Sequence, residues 1–226
     1  MDAILVNDIE YPLPDDFTLA QWKQLIPHTA NWKKLIADAF GVEEELLSEM
    51  SSDAQQIGAS LVYQHLYPVN KEPNTDGLIS FKDMTLGQFI DLEAYIGMDA
   101  NKKIVEISNV LFDKEITDET YVSEIWGVLQ SYLNYRTLLY KQYEGLFGID
   151  DDAKEVVEDK PSKTQDNARG WYNTVMYIAG DDLLKANQVV ERPVIEAFNY
   201  LAYKKTKAQE EMNRLRQQQL ERKYKR

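Results

Sequence analysis

The sequence predicts a mainly α-helical fold: a helical domain with one or two small β-hairpins and a long C-terminal helix. Three observations carry that expectation. Apolar residues recur at three- and four-residue spacing through most of the chain, as helices with one buried face require. Two stretches, Phe17–Leu25 (FTLAQWKQL) and Met84–Leu92 (MTLGQFIDL), share an apolar-Thr-Leu-x-Gln-aromatic-x-x-Leu frame that reads as a helix start. β-Prone residues gather only at Ala3–Tyr11 and, weakly, at Leu78–Phe81.

From the N-terminus, AILVNDIEY predicts a hairpin turning at Asn7-Asp8, because Asn and Asp tolerate left-handed backbone. Thr18 opens the first helix, which ends before Pro27. Thr29 or Asn31 can cap WKKLIADAF, with Gly41 as its stop. Helices are then expected over VEEELLSEM and over SDAQQIGASLVYQHLY, the second closed by Pro68. The stretch VNKEPNTDGLISFKDM breaks the pattern, and a second small hairpin or extended segment is expected there. The second Thr-Leu-x-Gln helix, a short helix over NKKIVEISNVLF and a long aromatic helix from Thr117 to Gly148 follow. In that long helix Val122, Ile125, Leu129, Tyr132, Leu139, Tyr143 and Leu146 keep the helical spacing. Ile149–Ala168 is charged and reads as an acidic linker or loop. Helices over WYNTVMYIA and DDLLKANQVVE precede a last helix opened by Pro193. The expected organisation is therefore a helical domain at 1–148, the linker at 149–168 and a C-terminal helical segment at 169–226.

The repeated frame has a local explanation. Thr18 and Thr85 are good N-caps, and Gln21 and Gln88 stand three residues on, which makes a capping box at each. Phe17 and Met84 precede the caps and face Trp22 and Phe89 at the fifth position beyond them, a hydrophobic staple. Both frames are followed by Ala-Asn and then Lys-Lys before an apolar helix, so two divergent copies of a turn–helix–helix unit are expected. Trp22, Phe89, Trp126 and Trp171 are the expected core or interface anchors.

Composition narrows the chemistry. The chain has 226 residues, 44% apolar, enough for one large domain or two small ones with a proper core. It has no cysteine, which removes disulfides, thiolate metal sites and a cysteine nucleophile. Its two histidines, His28 and His65, lack the neighbours of a histidine metal site, and no Gly-rich phosphate loop or nucleophile elbow appears. Glu72–Asp83 imitates a calcium loop but departs from it at both end positions. No apolar run approaches the roughly 18 residues of a membrane span, and the N-terminus lacks signal-peptide character. A soluble, non-enzymatic protein without cofactor, metal, small-molecule substrate or membrane partner is expected.

Charge is uneven. Lys204–Arg226 holds nine basic and three acidic residues, near +6, and the remainder carries 16 basic and 35 acidic, near −19. Within the last helix Val194, Phe198, Leu201, Lys205, Ala208, Met212 and Leu215 form a heptad seam with one charged break. A helix from Pro193 to Arg226 would reach roughly 50 Å, too far to pack wholly on a small domain. Phe198, Leu201, Met212 and Leu215, with Arg214 and Arg222, are thus the candidate interaction residues. The asymmetry points to self-association or to an acidic partner. Nucleic-acid contact through the basic helix is the remote alternative, since an acidic body repels phosphate.

The order LPDDFTLAQW, WKKLIADAFGVEEELLSEM, ISFKDMTLGQFIDLEAYI, KIVEISNVLF and then a long aromatic helix resembles tailed-bacteriophage morphogenesis proteins of the tail and neck. The closing stretch, from GWYNTVMYIAGDDLLKANQ to the charged end, is similar in layout to the ends of phage tail assembly chaperones. The resemblance implies a virion assembly or structural protein without catalytic residues. Two roles follow from it: a ring component of the portal–tail assembly, or a tail assembly chaperone. Its partners would be copies of itself, in a ring or another homo-oligomer, and other tail or portal proteins. Its place would be the virion tail or neck, or the host cytoplasm during assembly. A cellular helical adaptor is the alternative outside that resemblance.

Overall fold

The computed structural model describes residues 2–68, 77–99, 103–147 and 163–224. Among them, strands β1 (Ala3–Val6) and β2 (Ile9–Pro12) form one antiparallel hairpin. Ten α-helices follow: α1 (Leu19–Leu25), α2 (Trp32–Phe40), α3 (Ser52–Leu66), α4 (Leu86–Asp99), α5 (Ile104–Leu111), α6 (Val122–Gln142), α7 (Glu144–Phe147), α8 (Lys163–Ala179), α9 (Leu183–Val190) and α10 (Val194–Tyr224). The fold is mainly α, with a small hairpin and a long C-terminal helix, as the sequence predicts.

The hairpin turns where expected. Asn7 and Asp8 sit at φ 52° and 61°, the two left-handed positions of a tight turn, and Val6 pairs with Ile9. Ile4 and Val6 point into the core while Leu5 and Ile9 face solvent.

The described chain divides into two compact units, each made of two separated stretches. Unit 1 is Met1–Leu78 with Leu111–Leu133, and unit 2 is Ile79–Val110 with Asn134–Arg226. This differs from the sequential division at 149–168 expected above. Helix α6 belongs to unit 1 through Leu133 and to unit 2 from Asn134.

Each unit is organised around one copy of the Thr-Leu-x-Gln frame. In unit 1 the Thr18 and Gln21 side chains cap reciprocally at 3.3 and 2.9 Å, and in unit 2 Thr85 and Gln88 do so at 3.2 and 2.9 Å. Just before each cap, the backbone pairs with the start of a much longer helix. Leu19 N–H donates to the Thr120 carbonyl and Val122 N–H to the Phe17 carbonyl, both at 2.8 Å. In unit 2, Leu86 N–H donates to the Arg192 carbonyl at 2.8 Å and Val194 N–H to the Met84 carbonyl at 2.9 Å. Thr18 thus bridges Tyr121, and Thr85 bridges Pro193. Proline is admitted at that position because its neighbour Val194, not the bridge residue, supplies the donor.

The likeness extends into the two long helices. Val122-Ser-Glu-Ile-Trp-Gly-Val-Leu opens α6, and Val194-Ile-Glu-Ala-Phe-Asn-Tyr-Leu opens α10. Both read Val-x-Glu-x-aromatic-x-x-Leu, at a spacing of 72 residues. Phe17, Leu19, Trp22, Leu25, Val122 and Trp126 are buried in unit 1, and Met84, Leu86, Phe89, Leu92, Val194 and Phe198 in unit 2. Where unit 1 has Ala20, unit 2 has Gly87. A Cβ there would stand 3.2 Å from the Val190 carbonyl, so glycine allows α9 to approach the start of α4.

Unit 1 closes over the hairpin, α1–α3 and the first half of α6. Trp22 Nε1–H donates to the Leu66 carbonyl at 3.1 Å, tying α1 to the end of α3. Gln55, buried, donates to the carbonyls of Leu47 and Met50. Tyr67 meets Trp126 edge to face at 5.5 Å.

Some elements differ from expectation. VEEELLSEM forms only a 3-10 turn over Leu46–Glu49, since Gly41 ends α2 in a left-handed cap, Ser51 already caps α3, and only Val42 and Leu47 between them are buried. Pro27 lies inside a 3-10 turn, Ile26–His28, that extends α1. Residues 69–76, with the first five positions of the calcium-loop likeness, lie outside the described residues. Beyond them Leu78 bridges Phe112 and Ser80–Asp83 turns, with no second hairpin among the described residues. The long aromatic helix is interrupted at Tyr143 and resumes as α7. The expected linker loses its last residues to α8, which starts at Lys163, while 148–162 are outside the described residues.

The caps and the aromatic anchors should be energetically separable. Thr85→Ala should cost about 1 kcal/mol, whereas Phe89→Ala should cost about 3–5 kcal/mol, both read as shifts in urea-unfolding midpoints.

Candidate interaction surface

Helix α10 changes character along its length. Its first turns are core: Val194, Ala197 and Phe198 are buried. Phe198 sits among aromatic rings of unit 2, with centroids 5.1 Å from Phe147, 5.4 Å from Tyr143 and 5.5 Å from Phe89, all edge to face. Trp171 stacks on it nearly parallel at 6.3 Å. Asn199 accepts a hydrogen bond of 2.7 Å from the Tyr143 hydroxyl, and Lys205 Nζ donates to the Gly145 carbonyl at 2.6 Å. The root of the helix is therefore fixed by aromatic packing around Phe198 and by two hydrogen bonds.

From Lys205 to Arg222 every residue is exposed. This arm continues the helix for about 30 Å through Tyr224. Its residues are good helix formers, with no Gly or Pro. Local pairs assist it weakly: Glu211 with Arg214 at 3.7 Å and Gln209 with Asn213 at 3.5 Å. Met212 is 64% exposed, Leu215 44% and Leu220 48%, so the apolar seam is bare.

The expected interaction residues therefore separate. Phe198 is spent inside unit 2 and Leu201 is half-buried. Met212, Leu215, Arg214 and Arg222 lie on the exposed arm. Trp22, Phe89 and Trp126 are buried core residues, and Trp171 is half-buried in the aromatic cluster.

A second feature of unit 2 was not anticipated from the sequence. Glu93 of α4 takes both oxygens to the second half of α6: Arg136 donates through Nε and, at 2.7 Å, through a terminal nitrogen, and the Tyr140 hydroxyl donates at 2.9 Å. The guanidinium also lies over the Tyr140 ring, 4.8 Å from its centroid. Burial first, and then the adjacent Glu93 carboxylate, push the Tyr140 phenol well above its ordinary value. The only hint in the sequence is the match between Arg136 and Tyr140, four residues apart, which places both on one helix face.

Glu93 also lies at the edge of an apolar groove of about 390 Å³ between α4, α8 and α9. Ile90, Met98, Trp171, Val175 and Leu183 line it, and Met98, Tyr172 and Leu183 leave more than half their surface in water. Glu93 is already held by three donors, so the groove offers apolar surface with little free polar chemistry. His65 gives a ring nitrogen to the Leu61 carbonyl at 2.9 Å, and His28 stands 3.6 Å from Asp38. Among the described residues no three His, Asp or Glu side chains gather to hold a metal ion. Likewise, no helix there is long and apolar enough to cross a membrane.

Comparison with protein-family models, with curated proteins and with solved structures found no significant match to this chain.

The Glu93 pairing gives two tests. Arg136→Ala leaves a half-buried carboxylate without its cation, and should cost about 3 kcal/mol, the low end because Arg136 keeps a third of its side chain in water. Because the folded-state phenol of Tyr140 is raised above its unfolded value, its stabilising effect is complete below pH about 10 and fades as pH rises beyond it. Tyr140→Phe should flatten the fall in thermal midpoint between pH 9 and 11, ranges set by the ordinary tyrosine value of about 10.

Proposed function

We propose that this chain is a non-enzymatic assembly protein acting through helix-mediated protein–protein contacts, as a ring component of a tailed-phage neck or tail. The observation that carries this reading is the arm. A helix whose residues from Lys205 to Arg222 are all exposed buries little against its own unit beyond the Lys205 tie and the open groove that Gln209 and Asn213 line with Tyr143 and Leu146. Most helical stability in proteins comes from packing an apolar face, and the seam of this arm is bare, so a partner that covers it best accounts for the surface it presents. The bare Met212 and Leu215 and the surrounding cations suit docking on an acidic, partly apolar protein surface. The order of motifs along the chain supports the phage setting, with the virion or the host cytoplasm during assembly as its place. Support for a non-enzymatic role comes from the polar group at the apolar groove: Glu93 is held by Arg136 and the Tyr140 hydroxyl.

A tail assembly chaperone is the second reading, and the groove between α4, α8 and α9 favours it. Exposed Met and aromatic side chains around a groove suit transient capture of apolar helices.

Size-exclusion chromatography with light scattering tests the arm. The full chain should run as an oligomer, and deletion of Lys204–Arg226 should give a monomer with unchanged tryptophan fluorescence. A full chain that is monomeric at all concentrations overturns the ring reading. Proteomics of purified particles then separates the two roles, since a chaperone is absent from mature virions.

A further inference from the structure

We infer that the arm docks on unit 1 of a second copy of this chain, head to tail, and repeats between molecules what α6 does within one. This rests on the assembly reading above and names its partner surface.

The internal repeat supplies the first line of support. Helices α6 and α10 start in the same way, each held by two backbone hydrogen bonds to the residues flanking a Thr-Leu-x-Gln cap. Counting from the shared valine, α6 passes from unit 1 to unit 2 at Asn134, twelve residues after Val122. The corresponding residue of α10, twelve after Val194, is Thr206. That is where the exposed arm begins, one residue after Lys205. So α6 spends its distal half in a unit other than the one that roots it, whereas α10 stays in unit 2: its distal half borders grooves there as far as Asn213 and is exposed throughout to Arg222.

The phase of the side chains agrees. Beyond Asn134, Tyr135 stacks on Phe81, and Arg136, Tyr140 and, in the turn after α6, Tyr143 meet Glu93, Phe89, Phe198 and Asn199 within unit 2. Shifted by the 72-residue repeat, Tyr135 becomes Lys207, and the other three positions become Ala208, Met212 and Leu215. These last three are the apolar seam of the arm and lie on one face of the helix. Leu139, also buried, has Glu211 at its equivalent, and Glu211 already pairs with Arg214.

Charge is the second, independent line. Unit 1 carries 18 acidic and five basic residues, a net charge of −13. Unit 2 without Lys204–Arg226 carries 17 acidic and 11 basic, a net of −6. The arm, at +6, is therefore matched best by unit 1. Much of that acidity is uncompensated and spread over the surface: Glu43, Glu44, Glu45, Glu49, Glu115 and Glu119 are exposed and form no ion pair among the described residues. Pairing of two arms is disfavoured. It would bring two +6 helices together along a seam of three apolar residues interrupted by Lys205 and Gln219. A contact between the end of one copy and the beginning of the next is heterologous, so it propagates until it closes into a ring or continues as a filament.

The test uses the full chain with a photo-crosslinking amino acid in place of Met212, mixed with 15N-labelled full chain so that peptides from two molecules are distinguished by mass. Crosslinks from the labelled copy should fall in 2–68 or 111–133. Three charge reversals in the arm, Arg214→Glu, Arg216→Glu and Arg222→Glu, should weaken self-association about tenfold or more in low salt, with a smaller effect in high salt. Intermolecular crosslinks confined to unit 2 or to α10 overturn this assignment while leaving the assembly reading in place. A monomer with no intermolecular crosslink overturns both. A crosslinked species containing nucleic acid instead of a second chain also overturns it, and assigns the cations to phosphate.

Discussion

Everything distinctive in this fold depends on a pairing of two backbone hydrogen bonds. The cap threonine of each capping box lies against the residue before a long helix, and the residue following each of them donates its amide across the pair. The pairing fixes where α6 and α10 begin, because Val122 and Val194 are the first helical residues and their N–H groups would otherwise lack an intrahelical acceptor. It also joins stretches more than 100 residues apart, Thr18 with Tyr121 and Thr85 with Pro193. Once those ends are pinned, the aromatic residue one turn into each helix is committed to the core: Trp22 and Trp126 in unit 1, Phe89 and Phe198 in unit 2.

The two units put this shared device to different use. In unit 1 one anchor has a polar partner and the other a ring: the indole of Trp22 is tied to the Leu66 carbonyl, and Tyr67 packs on Trp126. In unit 2 the same positions seed a larger aromatic cluster, Phe89, Phe198, Trp171, Tyr143 and Phe147, in which edge-to-face contacts predominate. The cluster is what a long lever requires at its base. A helix of 31 residues, about 46 Å, presents its distal end to solvent, and any load on that end is carried by the packing around Phe198 and by the ties from Asn199 and Lys205.

Much of the helical fold was legible because local chemistry dictated it. Asn7-Asp8, the two capping boxes and Gly41 specify their backbone conformations from one or a few residues, and the structure has each where the sequence puts it. The interleaving of the units was not legible. It is a matter of long-range pairing, and the residues that make it, Phe17, Leu19, Thr120 and Met84, Leu86, Arg192, contribute backbone atoms that any residue possesses. The echo of Val-x-Glu-x-aromatic-x-x-Leu at 122 and 194 was the available signal, weak because its apolar positions also satisfy an ordinary helix. For the candidate surface, spacing marks out one continuous seam but cannot divide it. Periodicity is identical for Phe198 and Met212, and only the three-dimensional neighbours decide that one is core and the other bare.

A protein whose repeat ends in an unpaired element differs from one whose repeat is closed. Here the first long helix changes unit at Asn134, whereas the second long helix passes its corresponding point, Thr206, without changing unit and stays exposed to Arg222. Sequence composition changes at the same place: aromatic residues are abundant up to Tyr203, and beyond it cations and glutamines dominate. A partner met intramolecularly is present at high effective concentration, and aromatic packing suffices to hold it. A partner met by diffusion gains from long-range attraction that orients it before contact, which is what excess positive charge facing an acidic unit supplies. The shift from aromatic to cationic residues along one continuous series of helical positions is thus the change in chemistry that an intramolecular contact would undergo on becoming an intermolecular one.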